Sequence, residues 1–229
     1  MIQLRDVRFR WNREGPFLLE IPEFEVEAGE KVFLEGPSGS GKTSLLNILG
    51  AICPPEHGSV KVNGTDVAKL IGAARDTFRA DHIGIIFQMF NLIPYLSPLD
   101  NIILPCRFSK LRFASAIKRS GIKEEGLRLL AHMQLHDGLN INSPTFELSV
   151  GQQQRVAAAR SLIGSPELII ADEPTSALDH KTRESFLNLL LEEAANSDIT
   201  LLFVSHDASL AGLFDRRIKL NNINEACKR

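Results

Sequence analysis

Residues 36–44 read Gly36-Pro37-Ser38-Gly39-Ser40-Gly41-Lys42-Thr43-Ser44, between the apolar run Lys31-Val32-Phe33-Leu34 and the helix-like stretch Leu45-Leu46-Asn47-Ile48-Leu49. A strand that ends in a glycine-rich turn and continues as a helix is the setting of a phosphate-binding loop. Gly36, Gly39 and Gly41 permit backbone angles that aim successive N–H groups at one anion, and the positive end of the following helix adds to the attraction. Lys42 can then reach the β and γ phosphates of a nucleotide as a point charge, while the Thr43 hydroxyl suits the magnesium that travels with them. The substrate class is thereby fixed, with Pro37, Ser38, Ser40 and Ser44 as the remaining loop contacts.

Outward from this loop, strand signals fall at Ile2–Phe9, Phe24–Val26, Lys31–Glu35 and Ser59–Val62, the last closed by the turn pair Asn63-Gly64. They predict an antiparallel edge sheet. Ile83–Phe87 is a further apolar strand candidate, and Leu168–Ala171 and Leu201–Val204 are apolar on both faces, as buried parallel strands are. Helical periodicity at Lys181–Ala195 completes the alternation of an α/β domain. Between about Met89 and Gly164 the pattern turns helical, notably over Ile122–Met133 and Gln152–Ile163, with Pro94, Pro98, Pro105 and Pro144 as punctuation. This stretch is expected to be a helical insert, so that residues 1–88 and 165–229 form a core and residues 89–164 a subdomain of a single unit.

Composition sets outer limits. The 229 residues, 44% hydrophobic, suffice for a sizeable core, and 26 basic against 28 acidic side chains leave a formal charge of -2. That balance offers no blanket attraction to nucleic acid or anionic lipid. No run approaches the roughly 18 apolar residues a bilayer span needs. The first residues scatter charge where an export signal would place an apolar block. Cys53, Cys106 and Cys227 are odd in number and far apart, which suggests a reducing compartment and no metal site.

A second chemical motif follows Leu168-Ile169-Ile170-Ala171, where the strand ends in Asp172-Glu173. Side chains at the carboxyl ends of such strands face the ligand crevice. Asp172 is placed to hold magnesium through water, and Glu173 to polarise the water that attacks the γ phosphate. Alone, an acidic pair after a strand is more often a cap or a surface feature; beside the phosphate loop it reads as chemistry. Glu147-Leu148-Ser149-Val150-Gly151-Gln152-Gln153-Gln154-Arg155 opens a helix with a good N-cap at Ser149 and room for an anion at Gly151.

Taken together, GPSGSGKT, Gln88 after Gly84-Ile85-Ile86-Phe87, LSVGQQQR, LIIADEP, Ser176-Ala177-Leu178-Asp179, and His206 after Leu202-Phe203-Val204-Ser205 resemble the ordered motif set of ABC ATPases, from Ile2 to about Leu220. The resemblance implies a P-loop NTPase (RecA-like) α/β core with an antiparallel β edge sheet and an inserted α-helical subdomain. It implies ATP and Mg2+ as ligands, and two copies meeting head to tail so that Ser149, Gly151 and Gln152 act on the nucleotide held by the partner. Thr43, Gln88 and Asp172 would attend the metal. Gln88 would sense the attacking water, Glu173 would be the base, His206 would hold the water in line against the γ phosphate, and Asp179 would reach across the interface. Trp11 matches the aromatic that stacks on adenine; the other reading is edge packing, with Phe9 as the neighbouring candidate.

The usual signature in this family is LSGGQ, and here Val150 replaces a glycine, which a helix start tolerates. The sequence most resembles the branch serving macrolide exporters, lipoprotein-releasing systems and glycolipid exporters. That implies a homodimer beneath separate membrane permease subunits on the cytoplasmic face of the inner membrane, with a periplasmic adaptor as a further expected component and no nucleic acid partner. The alternatives are a regulatory ABC ATPase relaying a signal through a membrane protein to a cell-wall enzyme, a soluble non-transport ABC protein, and a small-nucleotide kinase. The last lacks a visible basic lid segment.

Overall fold

A computed structural model describes the whole chain except residues 136–140, Ala177, Asp179 and Arg229. Two sheets organise it. The first is antiparallel in the order β2-β1-β4-β5, with β1 at Ile2–Phe9, β2 at Leu19–Val26, β4 at His57–Val62 and β5 at Thr65–Asp66. The second is parallel in the order β6-β7-β8-β3-β9, with β3 at Lys31–Glu35, β6 at Ile83–Ile86, β7 at Leu168–Asp172, β8 at Thr200–Val204 and β9 at Arg216–Lys219.

The helices are α1 (Lys42–Leu49), α2 (Gly72–His82), α3 (Pro98–Ile103), α4 (Pro105–Phe108), α5 (Lys110–Arg119), α6 (Ile122–His132), α7 (Val150–Leu162), α8 (His180–Asn196) and α9 (Leu220–Ile223). Among the described residues α3 to α7 come between β6 and β7, where the sequence turns helical.

The period of two along each parallel strand distributes side chains to two cores. Val32 and Leu34, Leu168 and Ile170, and Leu202 and Val204 face a core shared with α1 and the antiparallel sheet. Phe33, Ile169, Ala171, Leu201 and Phe203 face a second core built with α3, α6, α7 and α8. This explains why the strands read apolar on both faces. Phe33, Phe203 and Phe214 pack ring against ring with centroids 5.2 to 6.1 Å apart in that second core.

Several bounds differ from the sequence reading. β2 begins at Leu19 rather than Phe24, because Phe9↔Leu19 and Val7↔Ile21 pairing extends it past Pro22, which an edge strand accommodates. β6 ends at Ile86, one residue short, and α7 begins at Val150 because Ser149 caps it. β9, a polar Arg216-Arg217-Ile218-Lys219 strand, has no alternation to announce it; pairing with β3 makes it a strand. The turn at Asn63-Gly64 has both residues at positive φ, 48° and 74°, as a two-residue hairpin of this kind requires.

Candidate functional site

Four neighbouring parallel strands, β6, β7, β8 and β3, deliver their carboxyl ends to one cleft of about 390 Å³, the place where open α/β sheets bind ligands. Ser38, Gly39, Gly41, Lys42, Thr43 and Ser44 line it from the loop after β3. Opposite them stand Gln88 beyond β6, Asp172 and Glu173 at the end of β7, and His206 beyond β8, with Leu18 on the rim.

The loop is held open by its glycines. Gly39 and Gly41 have φ of 79° and 101°, and a Cβ on Gly36 would lie 2.8 Å from Ser40 Oγ. Lys42 Nζ donates to the carbonyls of Gly36 and Pro37 at 2.6 and 3.0 Å and lies 4.0 Å from Glu173 Oε1. Thr43 Oγ1 donates to Asp172 Oδ2 at 3.0 Å. Burial pushes the Asp172 carboxyl above the usual carboxylate range, with Glu173 adding to the effect, against the Thr43 hydrogen bond and the charge of Lys42.

Glu173 sits in the left-handed region at φ 47°, an uncommon place for a residue with a side chain. Its N–H donates to the Val204 carbonyl at 2.9 Å, and its Oε2 meets His206 Nδ1 at 2.7 Å. The strain thus aims a carboxylate into the cleft and toward the histidine.

These donors suit a magnesium-bearing triphosphate. Ser40 Oγ is buried and has no hydrogen-bond partner among the described residues, nothing beyond the adjacent residues lies within 4 Å of where a Cβ of Gly39 would stand, and the ammonium of Lys42 donates to two carbonyls with Glu173 Oε1 4.0 Å away. Thr43 and Asp172 form the oxygen pair that a hard cation would take, beside Gln88.

Trp11 lies 67% exposed with its ring edge-on to Phe9 at a centroid distance of 4.9 Å, and its Nε1 donates to Ser44 Oγ at 3.1 Å. Edge packing on Phe9 and tethering to the phosphate loop therefore coexist, leaving much of the indole free.

Ser149, Gly151 and Gln152 do not join this cleft. Ser149 and Gln152 form a reciprocal capping box, Gln152 N to Ser149 Oγ at 3.3 Å and Ser149 N to Gln152 Oε1 at 2.9 Å. Val150 is the first helical residue and needs no positive φ. Among the described residues a Cβ on Gly151 would meet Leu178 Cδ2 at an ordinary 3.7 Å, so no described contact demands glycine there. Asp179 lies outside the described residues.

One contributor escapes sequence reading. Arg160, near the end of α7, donates to the carbonyls of Phe90 and Asn91 at 2.6 Å each. Both residues are left-handed, at φ 59° and 48°, just beyond Gln88. Only its position ten residues after Val150 on one helix gave a signal, and that could not name its partners.

Fold and cleft together define a nucleotide-hydrolysing protein of the phosphate-loop class. The family described as ABC transporter matches residues 19–176. The lipoprotein-releasing system ATP-binding protein LolD of Syntrophotalea carbinolica is 40% identical, covering 86% of this chain and 84% of that protein. The macrolide export ATP-binding/permease protein MacB of Rhodopirellula baltica is 37% identical over 97% of this chain, which spans 32% of that longer protein. A dimeric, post-hydrolysis structure of the ATP-binding cassette MJ0796 bound to ADP and Pi superimposes with a TM-score of 0.84 at 34% identity, covering 99% of this chain and 95% of that one. The chain belongs to the ABC transporter family and is an ATPase of it.

Proposed function

We propose that this ATPase works as a head-to-tail pair of identical chains that drives a separate membrane permease, in export or mechanical transmission rather than through a wide pore. The observation that carries this is the separation of the site into two surfaces. Lys42, Thr43, Gln88, Asp172, Glu173 and His206 share one cleft, while the capped start of α7 stands outside it. A glycine that no described contact within its own chain requires suits a surface that closes on a second copy's nucleotide.

In this reading Lys42 and the loop N–H groups bind the β and γ phosphates, and Trp11 stacks on the base. Mg2+ would be held by Thr43 and Asp172 with Gln88 beside it, and would supply charge neutralisation at the phosphates. Glu173 takes a proton from the attacking water, and His206, 2.7 Å away, holds carboxylate and water in line. Ser149, Gly151 and Gln152 complete the partner's site, with Asp179 reaching across the dimer.

The permease reading rests on a groove of about 390 Å³ between α2, β6 and the helices that follow, lined among others by Asp76, Arg79, Ile85, Phe87, Phe108 and Arg160. It suits one turn or two of a cytoplasmic helix. No helix among the described residues is long and apolar enough to cross a membrane. We place the protein at the cytoplasmic face of the inner membrane and divide it into a core of residues 1–88 and 165–229 and a helical subdomain of 89–164.

The test is capture from detergent-solubilised native membranes with ATP present, using Glu173→Gln as bait. Recovery of a permease with a large extracytoplasmic domain supports the reading, and an adaptor would appear in the same fraction. Recovery of soluble partners or ribosomes alone contradicts it, and a cell-wall hydrolase with its membrane partner would substitute the signalling role.

A further inference from the structure

Helix α5, Lys110–Arg119, is inverted relative to an ordinary surface helix. Its buried side carries Arg112, whose guanidinium donates to the carbonyls of Ser161 and Ile163 at the end of α7. Its solvent side carries the large apolar residues: Leu111 is 54% exposed, Phe113 44% and Ile117 52%. Positions 110, 113, 114 and 117 follow the spacing of one helix face, so Lys110, Phe113, Ala114 and Ile117 form one ridge, with Leu111 and Lys118 on the next. Phe108, 72% exposed, continues the patch from α4 into the groove assigned above to the permease.

Within its own stretch charge is equally one-sided, with Asp81, which accepts from Ser109 Oγ at the start of α5, and exposed Glu124 at its edges. From Asn101 to Lys123 there is no Asp or Glu, although acids outnumber bases in the whole chain. Of the cations in this stretch, Arg112 is spent inside, and Arg119 is engaged by Glu125, Glu193 and Ser197. Arg107, Lys110, Lys118 and Lys123 remain exposed around the apolar ridge. Their long stems can lie along the ridge while the ammonium and guanidinium groups reach outward.

We infer that the exposed face of α5 rests on the anionic phospholipid surface of the membrane, with Phe113, Ile117 and Leu111 at the headgroup boundary and Arg107, Lys110, Lys118 and Lys123 on the phosphates. A convex face with cations interleaved among aromatic and aliphatic side chains fits an interface of that chemistry, whereas a partner helix would seek a concave site such as the neighbouring groove. The inference rests on the proposal that the protein works at a membrane, and it adds a contact with lipid that needs no permease.

The experiment is co-sedimentation of the full chain with vesicles of phosphatidylcholine alone or mixed with phosphatidylglycerol. Binding is expected only to the phosphatidylglycerol vesicles and to fall as salt rises. Lys110→Glu with Lys118→Glu should lower the partition by at least about tenfold, since two cations are not only lost but reversed. Phe113→Ser with Ile117→Ser should lower it comparably while leaving ATP hydrolysis unchanged, because neither lies in the cleft. A protein that hydrolyses ATP yet sediments with neither vesicle, binds both equally, or binds as well after either pair of changes overturns the lipid contact. Failure of the ATPase itself would instead strike the proposed function.

Discussion

Thr43 Oγ1 donates a hydrogen bond to Asp172 Oδ2 across 3.0 Å, tying the first turn of α1 to the end of β7 over 129 positions of sequence. The pair brings together two residues proposed to hold the metal. Burial raises the Asp172 pKa, so protons compete with the metal at a higher pH than they would at an ordinary aspartate. The apparent affinity for Mg2+ in ATP hydrolysis should therefore weaken on acidification earlier than free aspartate chemistry requires. Asp172→Asn should flatten that dependence and raise the Mg2+ needed for half-maximal rate by about tenfold or more, as a magnesium titration at several pH values would show.

Trp11 leaves most of its indole exposed while Ser44 and Phe9 fix its orientation. Stacking of a base on such a ring contributes about 1–3 kcal/mol. Trp11→Ala should raise KM for ATP roughly tenfold with a much smaller change in kcat, whereas Trp11→Phe should retain most of the affinity. Steady-state kinetics of the three proteins decide it.

Arg160 holds Phe90 in a left-handed conformation that a bulky residue disfavours, followed by Asn91 in the same region, which asparagine tolerates. Burial pulls the Arg160 pKa down to about 10, which leaves it charged at neutral pH. Arg160→Ala frees two carbonyls and lets the segment after Gln88 relax, so kcat should drop by about two orders of magnitude, as misplacement of a positioning group by an ångström does. KM for ATP should hold, since Lys42 and Trp11 are untouched. Arg160→Lys, with one donor head in place of a fork, should recover part of the rate.

The phosphate loop and the acidic end of β7 were legible because each is a short run whose local chemistry and flanking strand can be read together. Gln88, His206 and the start of α7 needed the whole ordered set before they meant anything. What sequence withheld is long-range. Glu173 takes a left-handed conformation as its N–H donates to Val204, Arg160 clamps Phe90 and Asn91 some 70 positions away, and Asn224 ties the C-terminal segment to Glu20 N and Leu18 O at 2.8 and 3.0 Å. Such partners are set by strand order. β9 was missed for the same reason, since its polar run becomes a strand only by pairing with β3.

Glu193 on α8 is buried among Arg128, Arg119 and His132, and joins α6 of the helical insert to the core. Burial alone would raise its pKa, but the Arg128 hydrogen bond and the surrounding cations carry it below the usual value. A depressed carboxylate contributes stability above its unfolded pKa, here about 4.5, and that contribution is lost as pH falls through the folded value. Glu193→Gln should cost about 1 kcal/mol near neutrality, because Arg128 and Arg119 are 41% and 37% exposed and Arg128 keeps Glu125 as a partner, and the penalty should shrink below about pH 4. Thermal melts across pH would show it.

Two copies of this chain are proposed to close on ATP and reopen on hydrolysis, with Glu173 as the base. Light scattering of Glu173→Gln eluting from a sizing column, with and without ATP and Mg2+, tests it most directly. The variant should be monomeric without nucleotide, dimeric with ATP, and hydrolyse at a small fraction of the wild-type rate. A variant that stays monomeric in ATP, or that hydrolyses at the wild-type rate, would contradict the account.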